Sequence, residues 1–262
     1  SSSITAVNDA PTVSAPSSFT VTEDVNGNLV FSGMPFTDVD VASGNMTVTL
    51  SVTDGIITGN ASTGITVAGT TTARTLTGTL AALNTYFITA GNITYTSASN
   101  NDSPRTLTIS ISDLWNTGSG GTLTASTTST INIASVNDKP IVTAGATLAY
   151  TENAAATVIN ATITLADVDD AQLVSATVTI SSGFIAGDIL GFTDQNGIAG
   201  TYDAANGVLS LVGSATKAQY QVALRSVTYR SSLEDPTNNY TLANRSRTIS
   251  WQVTDANSGG AG

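Results

Sequence analysis

The sequence predicts an all-β protein: two tandem antiparallel β-sandwich modules, each with one short helix, arranged end to end as a rod. Three observations lead there. Val7-Asn8-Asp9-Ala10-Pro11 returns as Val136-Asn137-Asp138-Lys139-Pro140, and at the same offset Thr22-Glu23 returns as Thr151-Glu152 and Asp38-Val39-Asp40 as Asp167-Val168-Asp169. The 262 residues are therefore two copies of one unit, each large enough to bury a core. The composition is rich in Thr, Val and Ile, which suit pleated, half-buried positions, and only 10% of residues are charged. Alternation with a period of two recurs along the chain, and no long segment follows a helical period.

These landmarks place a tail of a preceding repeat at 1–8, one repeat at 9–137 and a second at 138–262. Ile4-Thr5-Ala6-Val7 matches Ile133-Ala134-Ser135-Val136 and reads as the end of a strand; Pro11 then breaks the ladder. The chain next runs the length of the module, so Glu23 is expected at the end opposite Asn8 and Asp9. Asn26-Gly27 turns it, Leu29-Val30-Phe31 begins the return strand, and Asp38-Val39-Asp40 comes back to the first end. Met46 to Val52 alternates and stops at Asp54-Gly55; Ile65–Val67 and Arg74–Leu76 are short strands. Leu80, Leu83, Phe87 and Ile88 fit a short helix within 79–89. Strands follow at 92–96 and 105–113, the latter with Leu107, Ile109 and Ile111 inward. A Gly-rich hairpin at 118–121 leads into a long last strand, 122–136.

The second copy repeats this order with other loop lengths. Thr177–Ile180 matches Thr47–Leu50, 218–227 matches the helix, Val227-Thr228-Tyr229 matches Ile93-Thr94-Tyr95, and Arg247–Asp255 matches Arg105–Asp113. A counterpart of the strand 122–136 is missing before Gly262. The chain reads as a piece of something longer, and the open edge that this leaves invites strand addition from a neighbouring chain.

Composition narrows the chemistry. There is no Cys and no His, so disulfides are absent and zinc or copper sites are disfavoured, whereas hard cations with oxygen ligands remain open. The net charge of −11 argues against nucleic acid and anionic membrane as partners, and no apolar run approaches the ~20 residues of a membrane span. Walker, GxGxxG and GxSxG motifs do not occur, and the chain is expected not to be an enzyme. Trp115 and Trp251 read as core or edge packing rather than sugar stacking.

Of the 19 carboxylates, ten fill five matched positions: Asp9/Asp138, Glu23/Glu152, Asp38/Asp167, Asp40/Asp169 and Asp113/Asp255. Counting strands gathers them at module ends. Grouped carboxylates repel unless a cation joins them. Ca²⁺ takes six to eight oxygens, and Asp-x-Asp on an extended strand projects two carboxylates to one side. Asn8-Asp9 and Asn137-Asp138 add amide and carboxylate oxygens.

Together, the Val-Asn-Asp-x-Pro linkers, Thr-Glu-Asp/Asn, Asp-Val-Asp and strands ending Ile-Ser-Asp or Val-Thr-Asp resemble bacterial cadherin-like (CSPG-type) tandem repeats of large secreted RTX-type adhesins. The resemblance implies an Ig/cadherin-like sandwich with Ca²⁺ shared between successive modules. Carried over by position, Asn137, Asp138, Asp167, Asp169 and Asp255 with Glu23 would serve the junction, and Asn8, Asp9, Asp38, Asp40 and Asp113 the first end of unit one. The linker is shorter than the cadherin Asp-x-Asn-Asp-Asn form and the units are longer.

The expected function is that of extender repeats of a bacterial extracellular adhesin, stiffened by Ca²⁺ and serving adhesion or biofilm formation at the cell surface. Their partners would be neighbouring repeats of the same parent chain, with no nucleic acid and no membrane insertion. Two alternatives stand beside it: a surface filament joined by strand complementation, and a carbohydrate-binding or glycan-active module.

Overall fold

The structure, a computed structural model, describes residues 3–115, 118–237 and 245–257. It divides into two compact units, Ser1–Val136 and Asn137–Gly262. Both are β-sandwich modules with one helix each.

Unit one runs β1 (Thr12–Val13), β2 (Ser18–Thr22), β3 (Gly27–Asn28), β4 (Phe36–Thr37), β5 (Asn45–Ser51), β6 (Ile56–Gly59), β7 (Thr66–Gly69), β8 (Ala73–Thr79), α1 (Leu80–Ile88), β9 (Ile93–Thr96), β10 (Arg105–Ser112) and β11 (Thr124–Ala134). The large sheet has the order β2-β11-β10-β5-β8-β7; β3-β9-β6 form a second sheet, and β1 pairs with β4. Alternation sets the faces: Met46, Val48 and Leu50 of β5 and Leu107, Ile109 and Ile111 of β10 are buried, with Thr and Ser between them more exposed. Thr79 caps α1 by accepting the Ala82 N–H at 3.3 Å. The helix delivers Phe87 between Phe31 and Phe36, with ring centroids 4.9 and 4.8 Å away, both edge-on. Buried Asn84 grips β4 from both sides, accepting from Phe36 N–H and donating to Phe36 C=O, each at 3.0 Å.

Unit two runs β12 (Ile141–Thr143), β13 (Thr157–Val158), β14 (Thr164–Ala166), β15 (Gln172–Ser182), β16 (Asp188–Gly191), β17 (Ala199–Asp203), β18 (Val208–Thr216), α2 (Lys217–Arg225), β19 (Thr228–Ser231) and β20 (Thr248–Asp255). Its sheets are β17-β18-β15-β20, β13-β19-β16 and β12-β14. The helix start is stronger here: Thr216 and Gln219 form a reciprocal capping box. Gln221 stands where Asn84 stands in α1, five residues after the cap, and accepts the Leu165 N–H of β14 at 3.1 Å. The core gathers Val178, Leu211, Tyr220, Leu224 and Val227.

Three local expectations are corrected. The large sheet of unit one is not wholly antiparallel: β2 lies parallel to β11. Pro16 interrupts the ladder after β1, and the chain crosses to the large sheet, so β2 and β11 travel toward the same end. Leu29–Phe31 is not a regular strand, because Leu29 N–H donates to Ile93 of β9 while Phe31 N–H turns to Phe87 at the end of α1. Ile4–Val7 makes no ladder either. Val7 has an isolated bridge to Ser119, and Ile4 is 97% exposed, whereas the matched Ile133 is packed between β2 and β10 in the unit-one core. Residues 258–262, the last of the expected second repeat, lie outside the described residues. Among the described residues, no helix is long and apolar enough to cross a membrane.

Candidate metal centre

Each unit builds the same acidic set from the same local geometry. In unit one, Asp38 follows β4 and its Oδ1 accepts the N–H groups of Asp40 and Val41 at 2.8 and 2.9 Å. This turn holds Asp38 and Asp40 on one side while Val39, 83% exposed, points away. Asp40 Oδ2 accepts the Asp9 N–H at 2.6 Å, and the Asn8 amide donates to Asp113 Oδ2 at 2.5 Å and to Gly121 C=O at 2.9 Å. Asp113 is buried at the end of β10, with Oδ1 accepting Trp115 and Leu123 N–H groups at 2.9 Å each. Burial alone would raise its carboxyl, but the two N–H donors and the Asn8 amide together bring it below the usual range.

Unit two repeats the central bonds of this set. Asp167 Oδ1 accepts Asp169 N–H at 3.0 Å and Asp170 N–H at 2.7 Å; Asp169 Oδ2 accepts Asp138 N–H at 2.6 Å; the Asn137 amide donates to Asp255 Oδ2 at 3.2 Å. Asn257 N–H donates to Asp255 Oδ1 at 3.0 Å, as Trp115 does to Asp113. The structure thus brings together Asn8, Asp9, Asp38, Asp40 and Asp113 in unit one, and Asn137, Asp138, Asp167, Asp169 and Asp255 in unit two. Glu23 is not part of the first set. It lies where β2 and β11 end, and β10 ends with Asp113 where β11 begins, so β11 separates the two by roughly 30 Å. Glu23 is buried; its N–H donates to Ala134 C=O at 3.0 Å and its carboxylate accepts the Val136 N–H. Its sequence match, Glu152, is exposed.

The donor chemistry fits a hard cation. Asp38 Oδ2, Asp167 Oδ2 and Asn137 Oδ1 are buried with no hydrogen-bond partner, an arrangement that costs free energy unless something positive is bound. In unit two, one carboxylate oxygen each from Asp167, Asp170 and Asp255 lies within 4.8 Å of the others. That is about twice the 2.3–2.6 Å of a Ca–O bond, so one ion could touch all three.

Asp170 is the residue that sequence matching missed. Its counterpart in unit one is Val41, which joins the hydrophobic core, whereas Asp170 is 1% exposed among carboxylates. Pairing equal residues hid it; its signal was the run Asp167-Val168-Asp169-Asp170 itself. The tryptophans divide. Trp251 packs against the core of unit two, but Trp115 is 56% exposed, its indole N–H held by Gly118 C=O.

No family model matches the chain. A stretch of 135 residues, 49% of this chain, is 34% identical to halomucin of Haloquadratum walsbyi and spans 1% of that protein. Among solved structures, the chain is similar to the protocadherin GammaB4 extracellular domain at 14% identity, covering 81% of this chain and 28% of that one with a TM-score of 0.29. It is similar to mouse cadherin-23 at 17% identity, covering 79% and 55% with a TM-score of 0.31.

Proposed function

We propose that the chain is a pair of structural repeats from an extracellular surface protein of the adhesin kind, with Ca²⁺ bound at the repeat ends. The observation that carries this reading is the duplicated oxygen set with its buried, unpartnered atoms: Asp38 Oδ2 in unit one, Asp167 Oδ2 and Asn137 Oδ1 in unit two. The residues that would hold the ion in unit two are Asn137, Asp138, Asp167, Asp169, Asp170 and Asp255; in unit one they are Asn8, Asp9, Asp38, Asp40 and Asp113. Glu23 lies in unit one, where its carboxylate holds the Val136 N–H. Kinship with a stretch of halomucin supports a surface role. Bound Ca²⁺ supplies charge neutralisation and a common ligand; the chain supplies preset carboxylates and a Pro-stiffened linker. An ion that binds only the folded, aligned repeats stabilises them by mass action, which stiffens the parent chain between neighbouring repeats.

Calorimetric titration with Ca²⁺, paired with thermal melts in EDTA, tests this. Saturable heat and a melting temperature several degrees higher with Ca²⁺ are expected. Asp138→Ala is expected to lose the heat of the second set and to increase chain flexibility in small-angle scattering. No heat and no thermal shift would leave the acidic ends as solvated turns and remove the metal from the proposal.

A further inference from the structure

Around the acidic sets, two matched positions that are apolar in unit one are charged in unit two. Asp170 stands where unit one has Val41, and Lys217 opens α2 where Leu80 opens α1, each directly after the capping threonine. Val41 and Leu80 both pack with the unit-one core. In unit two, Lys217 Nζ donates to the Asp167 C=O at 2.5 Å, and the Lys217 backbone N–H donates to the Ala171 C=O at 3.4 Å. One residue thus spans the turn 167–171 that holds Asp167, Asp169 and Asp170.

Helix chemistry does not account for this lysine. The first turn of a helix is the positive end of its dipole, where a cation is disfavoured, and no acidic residue stands in the first turn of α2. The neighbouring carboxylates do account for it. One oxygen each from Asp167, Asp170 and Asp255 lies within 4.8 Å of the others, Asp170 is buried, and Asp167 Oδ2 has no hydrogen-bond partner. Without a cation these charges repel. Nor is the ammonium needed to shape the turn. Asp38 accepts the matching two N–H groups at 2.8 and 2.9 Å in unit one, which contains no lysine.

We propose that Lys217 is a built-in counter-ion of the unit-two set: its ammonium steadies the empty carboxylates and opposes the entering Ca²⁺. The inference rests on calcium binding at that set. The carbonyl and carboxylate of one aspartate are a few bonds apart, so an ion held by Asp167 lies no more than roughly 10 Å from Nζ. At that range the repulsion between charges of +1 and +2 is worth about fivefold in affinity at low ionic strength, and it fades once salt shortens the screening length below the separation. Asp170, which would touch the ion itself, adds more than Lys217 takes away, so unit two keeps the tighter site.

Calcium titrations of the parent chain, Lys217→Met and Lys217→Arg in about 10 mM and about 0.5 M salt, with melts of each in EDTA, are the experiment. Methionine keeps an apolar stem and removes the charge. Lys217→Met is expected to tighten the stronger binding phase about fivefold in low salt and to leave it near the parent value in high salt. In EDTA it should melt below the parent chain, with a deficit that shrinks as salt rises, although removing a cation from a helix N-terminus would by itself raise the melting temperature. Lys217→Arg should match the parent in both measurements. Unchanged or weaker binding by Lys217→Met overturns the proposal, since a lysine that only tied the turn would lose affinity when removed. So does a gain that salt leaves untouched, or a melt in EDTA at or above that of the parent. A parent chain that takes up no calcium removes the calcium reading itself; the melts in EDTA involve no bound ion and still decide whether Lys217 serves the carboxylates.

Discussion

Both units pair an arginine at the start of a core strand with an aspartate and a tyrosine, yet they bury the group differently. In unit one, Arg105 Nε meets Asp54 at 2.6 Å, the Asp54 side chain is 42% exposed, and the Tyr95 hydroxyl reaches only the Asp54 backbone carbonyl, at 3.3 Å. In unit two, Arg247 holds Asp188 through Nε at 2.6 Å and Nη2 at 3.2 Å, the Asp188 side chain is fully buried, and Tyr229 donates to its carboxylate at 2.7 Å. The strand register explains the difference. Ile57 lies opposite Tyr95 and Leu190 opposite Tyr229, so Asp188 occupies the position of Gly55, and Asp54 stands one residue earlier, in the turn. A Cβ on Gly55 would come within 2.5 Å of the Tyr95 hydroxyl, so unit one has no room for an inward carboxylate there. A slip of one residue turns a core ion pair into a surface one.

The largest expected effect tests that contrast. Asp188→Ala strands a buried guanidinium and should cost about 3–5 kcal/mol, whereas Asp54→Ala should cost about 0–1 kcal/mol. Urea melts of the two variants against the parent chain measure both. Equal costs would mean that burial of the pair is not what separates the units.

Alkaline titration sharpens the same comparison. Burial, then the hydrogen bond to Asp188, holds the Tyr229 hydroxyl well above the ordinary tyrosine range; Tyr95 is raised mainly by burial. A folded value above the unfolded one gives stability that is complete below about pH 10 and is lost as pH rises toward the folded value. Thermal melts from pH 8 to 11 should therefore show falling stability, and Tyr229→Phe should flatten that fall more than Tyr95→Phe does.

How far the sequence reaches is visible in these residues. Period-two alternation marked β5 and β10, apolar spacing marked both helices but not their caps Thr79 and Thr216, and the repeated Asn-Asp and Asp-x-Asp landmarks lead to two hydrogen-bonded sets. The alternation works because a one-residue slip would expose a whole buried face. What it could not supply is environment. Glu23 and Glu152 match in sequence, but only Glu23 is backed by the end of a described β11-type strand, and only it is buried. Asp188 carried no motif, since its burial depends on register within β16 and on Arg247 arriving from 59 residues away. The parallel placement of β2 rests on a chain crossing that no local pattern encodes.

The smallest effect concerns Val41 and Asp170, where the two acidic sets proposed to hold Ca²⁺ differ by one carboxylate. Ca²⁺ affinity follows the number and charge of its ligands, and one added carboxylate is worth on the order of tenfold, about 1.4 kcal/mol. Unit two should therefore fill first in a calcium titration. Asp170→Val should bring its affinity down toward that of unit one, merging two binding phases into one. The reciprocal Val41→Asp is not expected to raise unit one by the same amount. Val41 is 3% exposed and belongs to the unit-one core, so an aspartate there loses apolar packing, and its charge is buried unless the ion is bound. In EDTA Val41→Asp should melt well below the parent chain, with most of that loss recovered at saturating Ca²⁺. Recovery by calcium would show that position 41 faces the ion site as position 170 does; a loss that calcium leaves untouched would show that the two units use this position for different ends.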